Sequence, residues 1–82
     1  MLNTEELLKR ITVNPNVMLG KPTIRGLRIT VEQILRSLAS GLSEQELLEE
    51  YPELEKEDFC ALFAYAAMLV EEEQVFPVEL SA

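Results

Sequence analysis

The stretch that decides the fold is "TVEQILRSLASGLSEQELLEEYPELEKEDF", residues 30–59. It holds three helix starts in succession. Thr30 followed by Gln33 has the form of a capping box, in which the Thr hydroxyl accepts the N3 amide and the Gln side chain reaches back to Thr30. Val31, Ile34, Leu35 and Leu38 then share one helical face, and Gly41 supplies a C′ stop. Ser43 and Glu46 form a second capping box, and Leu42 and Leu47 stand at the two positions of a hydrophobic staple. That helix ends before Pro52, which pushes Tyr51 out of the α region. Leu54 and Phe59 repeat the staple spacing for a third helix whose cap position is Glu55, a weaker cap than Ser or Thr. The expected helices cover about 31–40, 43–51 and 55–73. Three short-linked helices suggest a mainly α, trihelical helix-turn-helix-like bundle.

Moving outward, the third helix is apolar at every position from Phe59 to Val70. At 100° per residue, Phe59, Phe63, Ala66 and Val70 form one face, and Ala61, Ala64, Tyr65 and Met68 the opposite one. A helix that is apolar all round needs burial on all sides, which two short helices do not supply. Either the hairpin and tail fold over the second face, or that face is a subunit or partner interface. The second reading is favoured, because large apolar patches mark interaction sites. The tail, residues 75–82, reads as extended, either as a frayed end or docked through Val75, Phe76 and Val78.

On the N-terminal side, Asn3 and Glu6 signal a short helix near residues 4–10. Residues 11–30 read as a small β-hairpin, with strand segments at "VML" and "TI" around Gly20-Lys21-Pro22 and a strand end at "LRITV". Residues 1–74 form one domain on this reading. Lys21, Arg25 and Arg28, with Arg36 on the following helix, make a candidate anion-binding group for phosphates or a partner's carboxylates. The alternative is internal pairing with acidic side chains.

The composition narrows the function. The chain has 82 residues, one cysteine, no histidine and a net charge of −8. A domain of this size buries only roughly 60 % of its unfolded surface, so its core is thin. Residues 1–40 carry six Lys/Arg against three Asp/Glu, and residues 41–82 one Lys against twelve Asp/Glu. The acidic total argues against tight nonspecific nucleic-acid binding but leaves a local basic face. No secretion signal is apparent, and the longest apolar run, 59–70, is too short to span a bilayer. A cytoplasmic protein is expected. One Cys and no His give no structural zinc site, so no metal or cofactor is expected. Gly20-Lys21 lacks the upstream glycine of a phosphate loop, and no histidine is present to activate Ser37, Ser40 or Ser43. Cys60 lies in an apolar run, where a thiol serves packing. An enzyme is not expected.

The segment from Ile11 to Ala66 also resembles a bacterial family catalogued as domain of unknown function four-three-three. The matching positions are Gly20, Lys21, Pro22, Ile24, Gly26, Arg28, Ile29, Gly41, Tyr51, Pro52 and Leu54, in order and at the family's spacing. Leu27 departs from the family's usual Thr, and Glu55 from its usual Thr or Ser cap. The resemblance implies a helix-turn-helix-like fold. It also implies an antitoxin-like, dimerising protein that restrains a PIN-like ribonuclease toxin and can bind operator DNA. A DNA-binding regulator using Lys21, Arg25, Arg28 and Arg36, and a structural homodimer or adaptor, are the alternatives. Neither a membrane nor a small-molecule substrate is expected as a partner.

Overall fold

The computed structural model describes residues 3–72. Its elements are α1 (Thr4–Leu8), β1 (Ile11–Thr12), a 3₁₀ turn (Met18–Gly20), β2 (Thr23–Ile24), α2 (Val31–Ala39), α3 (Glu44–Glu50) and α4 (Lys56–Glu72). The fold is mainly helical with a small antiparallel hairpin, as expected. The tail residues Val75, Phe76 and Val78 lie outside the described residues.

Local chemistry accounts for most boundaries. Asn3 caps α1 by accepting the amides of Glu5 and Glu6. Thr30 caps α2 by accepting the Gln33 amide at 3.0 Å. The reciprocal half of that box is absent: the Gln33 side chain donates to the Tyr51 hydroxyl at 2.7 Å and ties α2 to the end of α3. Ser43 and Glu46 form the complete box at the start of α3. Gly41, just past α2, has φ +105°, a conformation that side chains with a β-carbon rarely adopt.

The hairpin pairs Ile11 with Ile24 and Thr12 with Thr23. Thr23 also bridges Thr30 on its other side. Arg25 (φ +46°) and Gly26 (φ +72°) are both left-handed between Ile24 and Leu27, the pattern of a type I′ turn. The Leu27 amide closes that turn on the Ile24 carbonyl at 2.8 Å. The expected strand at "VML" does not form. Met18 and Leu19 are left-handed there, which no strand permits.

The core is built from Ile24, Ile29, Val31, Ile34, Leu47, Leu54, Phe59 and Leu62, all buried. The staple pair Leu54 and Phe59 belongs to it, so α4 is anchored by its entry as well as by its inner face. Leu35, Leu38, Tyr51 and Tyr65 pack around its edge.

Candidate functional site

The loop cations do not form one open basic face. Arg25 is drawn inward. It donates from Nε to both carboxylate oxygens of Asp58, at 3.0 and 3.3 Å, and from a terminal nitrogen to Oδ2 at 3.0 Å. The same guanidinium donates to the Glu53 carbonyl. Arg10 also donates to Asp58, to Oδ1 at 3.0 Å, and holds Glu55 at 2.8 Å. Asp58 is fully buried and its Oδ2 accepts the Glu55 amide at 2.7 Å. One carboxylate therefore closes the first turn of α4 and clasps the chain at residues 10 and 25 to it.

Charge balance explains why a buried aspartate is stable here. Burial pushes the Asp58 carboxyl up, but hydrogen bonds from Arg25, the Glu55 amide and Arg10 outweigh it and hold the group below its usual range. Both arginines are held above theirs, Arg10 first by its bond to Glu55 and Arg25 by its bond to Asp58. The two guanidinium groups keep about a third of their side chains in water, so each is only partly desolvated.

Lys21 and Arg36 converge on the exposed carboxylate of Glu32, at 3.1 and 3.0 Å. Their hydrogen bonds hold Glu32 below the usual glutamate range, Lys21 contributing most. Arg28 is exposed and makes no ion pair with the described residues. The four candidate anion-binding residues are thus divided between the buried clasp, a surface pair and one open side chain. Arg25 spends its Nε and one terminal nitrogen on Asp58 and the Glu53 carbonyl, so most of its donors are committed within the chain.

The apolar face of α4 also differs from the expected one. Ala61 is fully buried and Tyr65 packs against the core, so both point inward. Ala64 and Met68 are half-buried on the flank. The inner face runs Asp58, Ala61, Leu62 and Tyr65, rotated from the expected division. The outward stripe is Cys60, Phe63, Ala67 and Val70, with Phe63 49 % and Val70 63 % exposed. These positions follow the i, i+3, i+7, i+10 spacing of one helical face. Leu69 lies on the inner side, one turn beyond Tyr65, where α4 overhangs α2. Leu69, Tyr65, Pro22, Val31, Leu35 and Ala39 line an open apolar groove of about 450 Å³, rimmed by Glu32 and Arg36.

Residues 11–66 match the family described as "Protein of unknown function (DUF433)". The chain belongs to the DUF433 family. It is 34 % identical over 56 residues to the uncharacterized protein y4eO of Sinorhizobium fredii, a match covering 68 % of this chain and 25 % of that protein. It also resembles the crystal structure of a DUF433 member protein from Anabaena variabilis, with a TM-score of 0.72 and 33 % identity. That likeness covers 82 % of this chain and 66 % of the other. This DUF433 chain thus spans about a quarter of the first relative and just under two thirds of the second. No helix among the described residues is long and apolar enough to cross a membrane. No group of three or more His, Cys, Asp or Glu among them could hold a metal ion.

Arg10 and Asp58 are the residues that sequence reasoning missed. Asp58 stands at N3 of α4, where an acidic side chain reaching back to the cap amide was the available signal. Its two guanidinium partners lie 48 and 33 residues away in sequence and leave no local mark.

Proposed function

We propose that this DUF433 chain is an antitoxin-like protein-binding module that associates with itself and restrains a PIN-like ribonuclease in the cytoplasm. It transforms no substrate. The observation that carries this reading is the solvent-facing stripe of α4. Phe63 and Val70 are large, apolar and 49 % and 63 % exposed on a helix whose opposite face is anchored in the core. A preorganised aromatic anchor of this kind is what a protein partner uses as a binding centre.

The charge distribution supports the choice of partner. Glu49 and Glu50 on α3, Glu53 and Glu55 in the link that follows, and Glu57 in the first turn of α4 are all exposed. A ribonuclease needs a cationic surface for RNA, and this acidic end is complementary to one. Binding there covers the surface that RNA would occupy. The DNA-regulator reading has less support. A groove-reading helix needs Arg, Lys, Asn or Gln near its start, and α4 begins with Lys56, Glu57 and the buried Asp58. Arg25 is committed to the clasp.

The test is co-expression with the product of the adjacent open reading frame. A stable complex, restored growth, and loss of both in Phe63→Asp are expected. A Phe63→Asp chain that folds and still binds and rescues overturns the α4 assignment. A salt-steep shift of operator DNA without any nuclease complex would favour the regulator.

A further inference from the structure

The open groove between α2 and the end of α4 has two apolar walls. Val31, Leu35 and Ala39 follow one another at four-residue spacing on α2, and Tyr65 and Leu69 do the same on α4. Leu69 keeps 38 % of its surface in water, although it lies on the inner side of its helix. The charges beside the groove are already engaged with one another: Arg36 holds Glu32 at 3.0 Å and Lys21 holds the same carboxylate at 3.1 Å. What the groove offers is therefore apolar surface, and its fit is to an apolar occupant. From Val31 to Ala39 the α2 wall rises about 12 Å.

The chain leaves the described residues beside this groove. Glu72 is one turn past Leu69, about 4.5 Å further along the α4 axis. The ten residues that follow, 73–82, read "EQVFPVELSA". Pro77 is unsuited to a helix interior and biases Phe76 toward extended backbone. In an extended chain, side chains two apart share a face. Phe76, Val78 and Leu80 then make one apolar face about 13 Å long, with Pro77 and Glu79 on the other. That length matches the α2 wall. The tether matches as well. Four residues carry Phe76 up to about 13 Å from Glu72, and Tyr65 lies about 10 Å back along α4. A segment tethered this close reaches the groove at roughly millimolar effective concentration, which a free occupant would have to exceed. Length, pattern and point of attachment select the chain's own C-terminal segment over a second molecule.

We propose that residues 75–80 fold back on their own chain and lie extended in the α2–α4 groove, with Phe76, Val78 and Leu80 against its walls. The contact completes the inner side of α4 and withdraws Phe76 and Val78 from partner binding. The Phe63–Val70 stripe, on the outward side of the same helix, stays open. This goes beyond the antitoxin-like reading and does not depend on it, because the chain alone tests it.

The experiment is nuclear magnetic resonance of the full chain. Overhauser contacts from the Phe76 ring to the Leu35 and Leu69 methyl groups are expected, with backbone order parameters at 76–80 close to those of the helices. Random-coil shifts and fast motion throughout 75–80 would overturn the proposal. A mixture of labelled and unlabelled chains, filtered for contacts between chains, separates the sources. Phe76 contacts that arise between chains place the segment on a second copy and overturn the intrachain contact. Phe76→Asp in the full chain should lower the folding equilibrium constant roughly tenfold or more, read by urea unfolding. An unchanged constant overturns the proposal. Ala39→Trp, at an exposed position, fills the groove from the end of α2. In that background the Phe76 contacts should vanish and Phe76→Asp should cost nothing further, whereas a fully additive cost overturns the proposal. Phe63→Asp should leave the Phe76 contacts in place. A lost nuclease complex with those contacts intact counts against the partner reading alone, and absent contacts with the complex intact count against this proposal alone.

Discussion

Asp58→Asn tests the clasp directly. The substitution keeps the shape and one acceptor oxygen but removes the charge and turns an amide donor toward guanidinium groups. Asp58 now accepts from Arg25 at 3.0 Å, Arg10 at 3.0 Å and the Glu55 amide at 2.7 Å. Removing one partner of a buried ion pair costs about 3–5 kcal/mol. The arginines retain access to water and are partly rehydrated when released, which places this case at the low end, about 3 kcal/mol. A domain of this length has a total stability of roughly 4–12 kcal/mol. A loss of that size lowers Tm by at least about 12 °C. The assay is thermal and urea unfolding followed by far-ultraviolet circular dichroism. Arg25→Gln and the double variant complete a cycle, in which a coupling above about 1 kcal/mol is expected. Glu55→Gln, at the more exposed partner of Arg10, should change stability by less than about 1 kcal/mol. An Asp58→Asn chain that melts within about 2 °C of the parent, or a cycle with no coupling, would refute the reasoning.

Four further outcomes follow from the same geometry. The folded Asp58 carboxyl titrates below its unfolded value, so its stabilisation is present above about pH 4 and is lost as pH falls through the folded pKa; the stability difference between parent and Asp58→Asn should shrink in acid, and a difference that grows there would contradict this. Ala61→Leu overpacks the fully buried inner face of α4 and should cost about 1–3 kcal/mol in urea unfolding, whereas a solvent-facing Ala61 would tolerate it. Ser43→Ala removes the hydroxyl that accepts the Glu46 amide at 3.0 Å and should cost about 1 kcal/mol, read as a lower urea midpoint. Leu19→Asn relieves a left-handed leucine and should stabilise the fold by up to about 1 kcal/mol, read as a higher urea midpoint; a destabilised variant would show that Leu19 supports its own fold.

Much of the scaffold was legible because its signals are local. Ser43 with Glu46, Leu54 with Phe59, and Gly41 each act within a few residues, and each does so in the folded chain. Gln33 was misread because its side chain chose Tyr51, a partner 18 residues on, over its own cap. The segment at Met18 and Leu19 looked extended because nothing in its sequence marks a left-handed leucine; the bracing comes from Asn14 and the carbonyls around it. The orientation of α4 was illegible for a different reason. A helix apolar at nearly every position has no preferred side, so its rotation is set by what packs on it. Here the Arg10–Asp58–Arg25 clasp and the Leu62 and Phe59 contacts set that rotation, turning Ala61 and Tyr65 inward and Phe63 and Val70 outward. Asp58 itself resembled any solvated carboxylate at a helix start, because its burial depends on arginines distant in sequence.

The central claim is that this DUF433 chain acts by protein binding through the outward stripe of α4. Isothermal titration of the full chain and its Phe63→Asp variant against the product of the adjacent open reading frame measures this most directly. Saturable binding by the parent, with an affinity loss of roughly tenfold or more in the variant, is expected for a buried aromatic anchor. Equal heats from both chains, or no binding by the folded parent, would contradict it.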